Sequence, residues 1–157
     1  MSLQRDLEAL RAIPLFAKVE PARLKLLAFT SEHIDYEPGE IVCRQGEPGD
    51  AAYILLEGSA DVLVDTPSGR VKVATLGKNE IVGEIAILCD VPRTATVVAA
   101  TRLHTLKIAK DGFLNLVTQF PHVAVEIMSE LAARLHATTQ RLTQVSLRLA
   151  ELESRRP

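Results

Sequence analysis

Apolar residues near the start of the chain recur at helical spacing. From Leu3 to Leu10 they are three or four residues apart, which predicts a short helix that Pro14 breaks. A second short helix is predicted to open at Pro21, because proline is favoured at the first helical position. Residues 1–32 are therefore expected to form short helices at the amino-terminal end of the fold.

Residues 33–110 show a different pattern, in which short apolar runs alternate with glycines. Short strands separated by glycine turns predict an antiparallel β-roll or jelly-roll barrel. Ser68-Gly69 marks the most obvious hairpin. The predicted strands cover residues 41–43, 53–56, 62–64, 71–73, 96–98 and 103–108.

The chain is predicted to turn helical again over residues 111–157, with a short helix before Pro121 and a long helix after it. A heptad series is expected to pair this long helix with that of a second copy. The whole layout predicts one α+β domain over residues 1–157. The heptad positions of the long helix are Met128, Leu131, Leu135, Thr138, Leu142, Val145, Leu149 and Leu152.

Composition narrows the function without identifying it. The formal net charge of the 157 residues is −2, so nothing general draws the chain to nucleic acid or anionic lipid. Cys43 and Cys89 form no CxxC pair and the four histidines are scattered, so neither a metal site nor a cofactor is expected. No apolar run approaches the ~20 residues of a membrane span, and the start of the chain lacks a signal core. By elimination we expect a cytoplasmic protein with no membrane partner.

One segment, residues 82–97, interrupts the alternation of strands and turns. Its first part fits a single helical turn, whose amide groups near Gly83 would be unpaired and would attract an anion. Arg93, nine residues after Glu84, can pair with a phosphate. A carboxylate beside an anion site makes sense if it accepts a hydrogen bond from a hydroxyl, and a ribose 2′-OH is such a hydroxyl.

This segment resembles the phosphate-binding cassette of the cyclic nucleotide-binding domain family. The matching residues are Gly-Glu-Ile-Ala from Gly83 and Pro-Arg-Thr-Ala-Thr from Pro92, at the family's separation. The resemblance covers nearly the whole chain but departs at Val82, where the family usually has phenylalanine. We expect this departure to alter packing beneath the cassette more than ligand contacts. The turns that also match are at Gly46, Gly49, Asp50 and Gly58.

The resemblance implies roles for individual residues. Glu84 would bind the ribose 2′-OH and Arg93 would bind the cyclic phosphate. Gly83 would let the ligand approach, because it has no side chain to block it. Backbone amides would complete the phosphate site at Ile85, Ala86 and Thr94.

The long helix resembles that of the cyclic AMP receptor branch of the family, where it forms the dimer interface and covers the base. Thr138 and Thr139 fall where hydroxyls of that branch meet adenine. Equally, Thr138 could fill the heptad seam and Thr139 could be solvated. Arg134 falls near the ribose-binding acid and could orient Glu84, or it could be an exposed helix arginine.

These features predict a sensor module and not an enzyme, because Glu84 and Arg93 bind an ester rather than break it. The expected ligand is a 3′,5′-cyclic nucleotide, with cyclic AMP preferred over cyclic GMP. Signalling would proceed by ligand-dependent movement of the C-terminal helix. No nucleic-acid contact by this chain is expected, since no recognition helix or basic patch is evident.

Three alternatives stay open at this point. The chain could be the sensor half of a transcription regulator or of a larger cyclic nucleotide-regulated protein. It could be a dimerisation module with a vestigial pocket. In the third alternative, Glu84 is a solvated acid and Arg93 is a surface cation paired with Asp90.

Overall fold

The computed structural model describes residues 3–13 and 16–155; the predicted helix break at Pro14 and the end of the chain at Pro157 lie outside them. The helices are α1 (Leu3–Arg11), α2 (Pro21–Thr30), α3 (Glu84–Leu88), α4 (Lys110–Gln119) and α5 (Pro121–Ser154). The strands are β1 (Glu32–Tyr36), β2 (Ile41–Cys43), β3 (Ala51–Glu57), β4 (Ala60–Thr66), β5 (Gly69–Leu76), β6 (Ile81–Val82), β7 (Thr96–Ala99) and β8 (Leu103–Ala109).

The strands form two antiparallel four-stranded sheets. One sheet has the order β1-β8-β3-β6 and is called here the helix-covered sheet; the other has the order β2-β7-β4-β5 and is called the outer sheet. The predicted α+β class, β-roll and long C-terminal helix are confirmed. The roll is not a closed barrel, because each sheet keeps two edge strands and, among the described residues, no ladder joins the two sheets.

The helix-covered sheet is buried on both faces. Alternate residues of β3 point to opposite sides, so Ala52 and Ile54 pack with the helices while Tyr53 and Leu55 pack between the two sheets. This explains why the first five residues of β3 are all buried. In the outer sheet, by contrast, β5 is exposed over its first seven residues. One face of the roll therefore carries the helices and the other faces solvent.

Two strands were missed by the sequence pattern. β1 has an acid at two of its five positions and is only half-buried at the sheet edge, so it lacks the apolar alternation that signals a strand. β6 has two residues and is held only by pairing with β3. The predicted hairpin at Ser68-Gly69 is confirmed, with Gly69 at φ +117° opening β5. Lys110, predicted as the last roll residue, instead begins α4.

The long helix α5 runs for 34 residues and has two different halves. Near its start, Val123 and Ile127 are buried in the cluster shared by the helices and the helix-covered sheet. Over residues 135–155 every residue is exposed. Within the described part of the chain, no helix combines the length and apolar character that crossing a bilayer requires.

Candidate functional site

The predicted single helical turn exists as α3, and Gly83 is its N-terminal flanking residue. Gly83 has φ +91°, a conformation that L-residues with a side chain rarely adopt. A Cβ added there would lie 2.3 Å from Arg93 Nη1 and 3.0 Å from the carbonyl oxygen of Ala51. Both the backbone angle and the neighbouring guanidinium therefore require glycine at this position.

Arg93 is a buried cation held by the roll itself. Its side chain is 4% exposed, and its Nη2 donates to the carbonyl oxygen of Ala51 at 2.8 Å. Its Nη1 donates to the carbonyl of Gly83 at 3.3 Å, and Asp50 Oδ1 lies 3.5 Å from Nη2. The guanidinium also lies 5.8 Å from the ring centroid of Tyr53, within cation–π range. Arginine has five N–H donors, so these carbonyl contacts do not exhaust them.

The backbone of Arg93 is fixed by a second set of contacts. Its N–H donates to the carbonyl of Glu47 at 2.8 Å, and its carbonyl accepts from the N–H of Gly46 at the same distance. The neighbouring turn also touches α3 directly, since a Cβ on Gly49 would fall 2.3 Å from the Cβ of Ala86. The glycine turn and the cassette therefore form one packed unit around the arginine.

Glu84 is a buried acid, with 3% of its surface exposed. Burial raises the pKa of Glu84 above its usual value, while its own backbone N–H and the Arg134 guanidinium favour the carboxylate. Arg134 Nη1 donates to Glu84 Oε1 at 3.1 Å, and the Arg134 side chain is 38% exposed. The acid therefore depends on α5 for its cationic partner.

The two charged groups face one cavity of about 290 Å³. Its walls combine apolar side chains of the outer sheet with the cassette and one residue of α5. A mostly apolar cavity with a few convergent polar groups is the usual form of a small-molecule site. The lining residues are Cys43, Val62, Ala74, Leu76, Glu80, Val82, Gly83, Glu84, Ile85, Ala86, Arg93, Thr94, Ala95, Val97 and Arg134.

Residues 33–120 match the family model described as "Cyclic nucleotide-binding domain". The chain belongs to the cyclic nucleotide-binding domain family. The resemblance predicted from the cassette residues is therefore confirmed, and the cavity lies in the cyclic nucleotide-binding domain.

Two relatives place the domain in context. The chain is 27% identical over 139 residues to the "CRP-like cAMP-activated global transcriptional regulator" of Mycobacterium tuberculosis, covering 88% of this chain and 62% of the regulator. It is 34% identical over 108 residues to the cAMP-dependent protein kinase regulatory subunit of Aspergillus niger, covering 69% of this chain and 26% of the subunit. The chain thus spans less than two thirds of either relative.

The fold is also that of the sensor domain of the transcriptional regulator DNR from Pseudomonas aeruginosa. The TM-score is 0.76 with 24% sequence identity, and the match covers 88% of this chain and 93% of the other. At that identity the likeness shows the fold alone. The two relatives named above are a transcriptional regulator and a protein kinase regulatory subunit.

The structure brings most of the predicted site residues of the cyclic nucleotide-binding domain together. Thr138 and Thr139 do not reach the cavity; both are exposed on α5. The alternative in which Arg93 is a surface cation paired with Asp90 is wrong, because Arg93 is buried and Asp90 Oδ1 lies 3.7 Å from Lys110 Nζ instead. The predicted residues that do line the cavity are Gly83, Glu84, Ile85, Ala86, Arg93, Thr94 and Arg134.

Three residues that hold Arg93 were not predicted. Asp50, Ala51 and Tyr53 lie about forty residues before Arg93 in the chain, and their contacts with it form only when β3 lies beside the cassette. The sequence offered one usable signal: Asp50 is an acid directly before the buried strand β3. Such an acid suggests a nearby cation.

Proposed function

We propose that this cavity binds a 3′,5′-cyclic nucleotide, with the cyclic phosphate at Arg93 and the ribose at Glu84. The observation that carries the proposal is that Arg93 and Glu84, two buried groups of opposite charge, line one cavity but do not pair with each other. Arg93 contacts Asp50 and Glu84 contacts Arg134. Burying an ionic group is costly unless it is paired, so the free space between them suits a ligand that is itself polar and anionic at one end.

The phosphate end is proposed to lie against Arg93 and the cassette backbone. A guanidinium recognises phosphate through paired N–H donors, and the ones not used by Ala51 and Gly83 remain for this purpose. Ile85, Ala86 and Thr94 line the same cavity, and their backbone N–H groups are proposed as further phosphate donors. They would add uncharged donors that a compact anion can accept from.

The ribose end is proposed to lie against Glu84. An ionised carboxylate is acceptor-only, so it can accept a hydrogen bond that a 2′-OH donates. Burial raises the pKa of Glu84, while Arg134 favours its charged form. Arg134 donates to one carboxylate oxygen at 3.1 Å, which leaves the other oxygen for the sugar.

Cyclic AMP is proposed as the preferred ligand, with cyclic GMP as the weaker one. A base leaving the cavity along α5 would pass Arg134 and meet Thr138 one turn later, about 6 Å along the axis. A rotating hydroxyl can serve either purine, so we expect a preference of only ~1–2 kcal/mol. The cyclic AMP relatives named above support this choice. Thr139 is proposed as a second base contact.

The long helix is proposed to transmit the ligand signal and to pair with a second copy. Its apolar heptad residues Leu135, Leu142 and Leu149 are each more than half exposed. Leaving a leucine in water costs ~1.5–3 kcal/mol relative to burial, so this face favours a partner with the same pattern. Arg134 belongs to α5 and contacts Glu84 of the roll. A ligand bound at Glu84 would therefore change the contact between this helix and the roll.

Calorimetric titration tests the ligand proposal. We expect saturable one-to-one binding of cyclic AMP, weaker binding of cyclic GMP, and much weaker binding of adenosine, which lacks the phosphate. Thr138→Val should shrink the difference between the two cyclic nucleotides. If neither cyclic nucleotide binds at millimolar concentration, the proposal is wrong; if adenosine binds as well as cyclic AMP, the phosphate site is wrong.

Sedimentation tests the pairing proposal. Leu142→Glu combined with Leu149→Glu should produce a monomer whose roll is still folded by circular dichroism. The matched control is Arg141→Ala with Arg148→Ala on the same stretch of helix, which should stay associated. A wild-type chain that is monomeric at high concentration would contradict pairing through α5.

A second candidate function is that of the sensor part of a transcription regulator. The match to the mycobacterial regulator, which covers 88% of this chain, favours it. The reading frame of the natural gene beyond Pro157 tests this: a following helix-turn-helix region would support it, and a stop codon there would contradict it.

A further inference from the structure

Four ionisable side chains form a row on the helix-covered sheet, away from the nucleotide cavity. Asp6 Oδ1 lies 2.7 Å from His33 Nε2, and His33 Nδ1 lies 3.2 Å from His104 Nε2. His104 Nδ1 in turn contacts Asp35 Oδ1. The two imidazole rings stack with their centroids 5.2 Å apart at an interplanar angle of 26°. The row is thus carboxylate, imidazole, imidazole, carboxylate.

Strand register and one helix bring these residues together. Asp35 of β1 pairs with His104 of β8, and His33 lies two positions along β1, so all three share a face of the sheet. That face is the one covered by helices, since Leu106 on β8 belongs to the cluster shared with them. Asp6 reaches the row from α1 and is the contact through which that helix joins it.

Counting protons shows that the row cannot be satisfied with two neutral histidines. Three contacts join the four groups, and each needs one hydrogen. The carboxylates supply none, and a neutral imidazole supplies one ring hydrogen. Two neutral rings therefore leave one contact without a hydrogen, with two lone pairs facing each other. Three ring hydrogens, which means one positive charge on the pair, satisfy every contact.

A doubly charged pair fails for the opposite reason. With four ring hydrogens, N–H groups of His33 and His104 would point at each other with no acceptor between them. The complete row therefore exists in one protonation state, between the neutral and the doubly charged pair.

The surrounding charges agree with one shared positive charge. The pKa of Asp35 is lowered, first by its hydrogen bond with His104 and further by Arg102 and His33, so Asp35 accepts rather than donates. On β3, Glu57 is in register with His104. Acids from α1, β1 and β3 thus lie around the pair, together with the cation Arg102 beside β8.

We propose that Asp6, His33, His104 and Asp35 form a proton-operated latch that holds α1 against the helix-covered sheet. The latch closes when the two imidazoles share one positive charge. It loosens as pH rises and that charge is lost, and it loosens again at acidic pH when both rings are charged. Because imidazoles titrate in the physiological range, docking of α1 depends on pH between about 5 and 8.

Hydrogen exchange of the α1 amides tests the latch in the full chain. After correction for intrinsic exchange, wild-type protection should pass through a maximum and change by at least about fivefold across pH 5–8, as expected for a local opening. Asp6→Asn keeps the shape but removes the charge, and should reduce that change to less than about twofold. Glu8→Gln, an exposed acid on the same helix, should behave as wild type. Equal pH profiles in wild type and Asp6→Asn overturn the proposal.

Ring nitrogen spectra of the wild-type protein provide a test that needs no variant. At the pH of greatest protection, His33 and His104 should show three ring hydrogens between them, and the two should titrate together. Two neutral rings at the pH where α1 is best protected would overturn the latch, whatever the variants do.

Discussion

The two charged ends of the cavity are held in different ways. Arg93 is held entirely within the roll, by carbonyls of Ala51 and Gly83 and by contacts of its own backbone. Glu84 receives its cationic partner from α5, through a single contact with the half-exposed Arg134. One end is therefore a fixed anchor within the roll, while the other is paired with a residue of the long helix.

This difference separates affinity from signalling. A ligand group bound at the fixed end gains binding energy without moving anything, because the donors are already placed. A ligand group bound at Glu84 would meet the contact that Arg134 of α5 makes with this acid, so we propose that its binding is coupled to the helix. We predict that substitution of Arg93 alters affinity most. Substitution of Glu84 or Arg134 should instead alter the discrimination between ligands and the coupling to α5.

Arg93→Ala should have the largest effect. Truncating one partner of a buried charged pair costs ~2–5 kcal/mol, so cyclic AMP affinity should fall by that amount in calorimetry. Arg102→Ala, which removes a largely exposed arginine near β8, is the matched control and should bind as wild type. Unchanged affinity in Arg93→Ala would show that Arg93 does not bind the ligand.

Glu84→Ala should have an intermediate effect and should change discrimination. The loss of a charged hydrogen-bond acceptor costs ~1.5–3 kcal/mol for cyclic AMP and much less for its 2′-deoxy analogue, which has no hydroxyl to donate. The two ligands should therefore bind almost equally to the variant. An equal loss for both ligands would mean that Glu84 does not contact the 2′-OH.

Arg134→Ala should have a smaller effect on affinity, of about 1 kcal/mol, because its side chain is partly exposed. It should also raise the pKa of Glu84 further, since Arg134 is one of the groups that favour the carboxylate. Nuclear magnetic resonance of the labelled Glu84 carboxyl measures this directly. Arg141→Ala, two turns further along α5, is the control, and a pKa unchanged by Arg134→Ala would contradict the coupling of the ribose end to the helix.

The smallest effect concerns the stability of the ligand-free protein. Because burial raises the pKa of Glu84 above 4.5, the native state binds this proton more tightly than the unfolded state does. The free energy of unfolding of the wild type, relative to that of Glu84→Gln, should therefore fall as pH rises above the usual glutamate pKa. The total fall should be about 1.4 kcal/mol for each unit by which the native-state pKa exceeds the unfolded-state pKa, and the difference should then level off. Urea unfolding at several pH values measures it. A difference that is constant with pH would contradict the burial argument.

The sequence predicted what is local and missed what is assembled over long range. The short helix α3 and the hairpin at Ser68-Gly69 depend on neighbouring residues, so their patterns are visible in the chain. The contact between Asp50 and Arg93 joins residues more than forty positions apart and has no local signature.

Two other outcomes depend on surroundings rather than on pattern. β1 lacks the apolar alternation that predicts a strand, because it lies at the edge of the sheet and is only half-buried there, with His33 in contact with Asp6 of α1. The heptad residues of α5 from Leu135 onward have the spacing of an interface, yet they are exposed in a single chain. Their pairing with a second copy is therefore a proposal. Thr138 likewise remains a predicted base contact, because it lies on a stretch of α5 that is exposed in the described chain.

A crystal structure of the chain with bound cyclic AMP is the most direct test of whether Arg93 binds the cyclic phosphate and Glu84 binds the ribose. The account predicts that the cyclic phosphate lies within hydrogen-bond distance of the Arg93 guanidinium and that the ribose 2′-OH donates to Glu84. A nucleotide bound elsewhere, or bound in this cavity with its phosphate away from Arg93, would contradict the account.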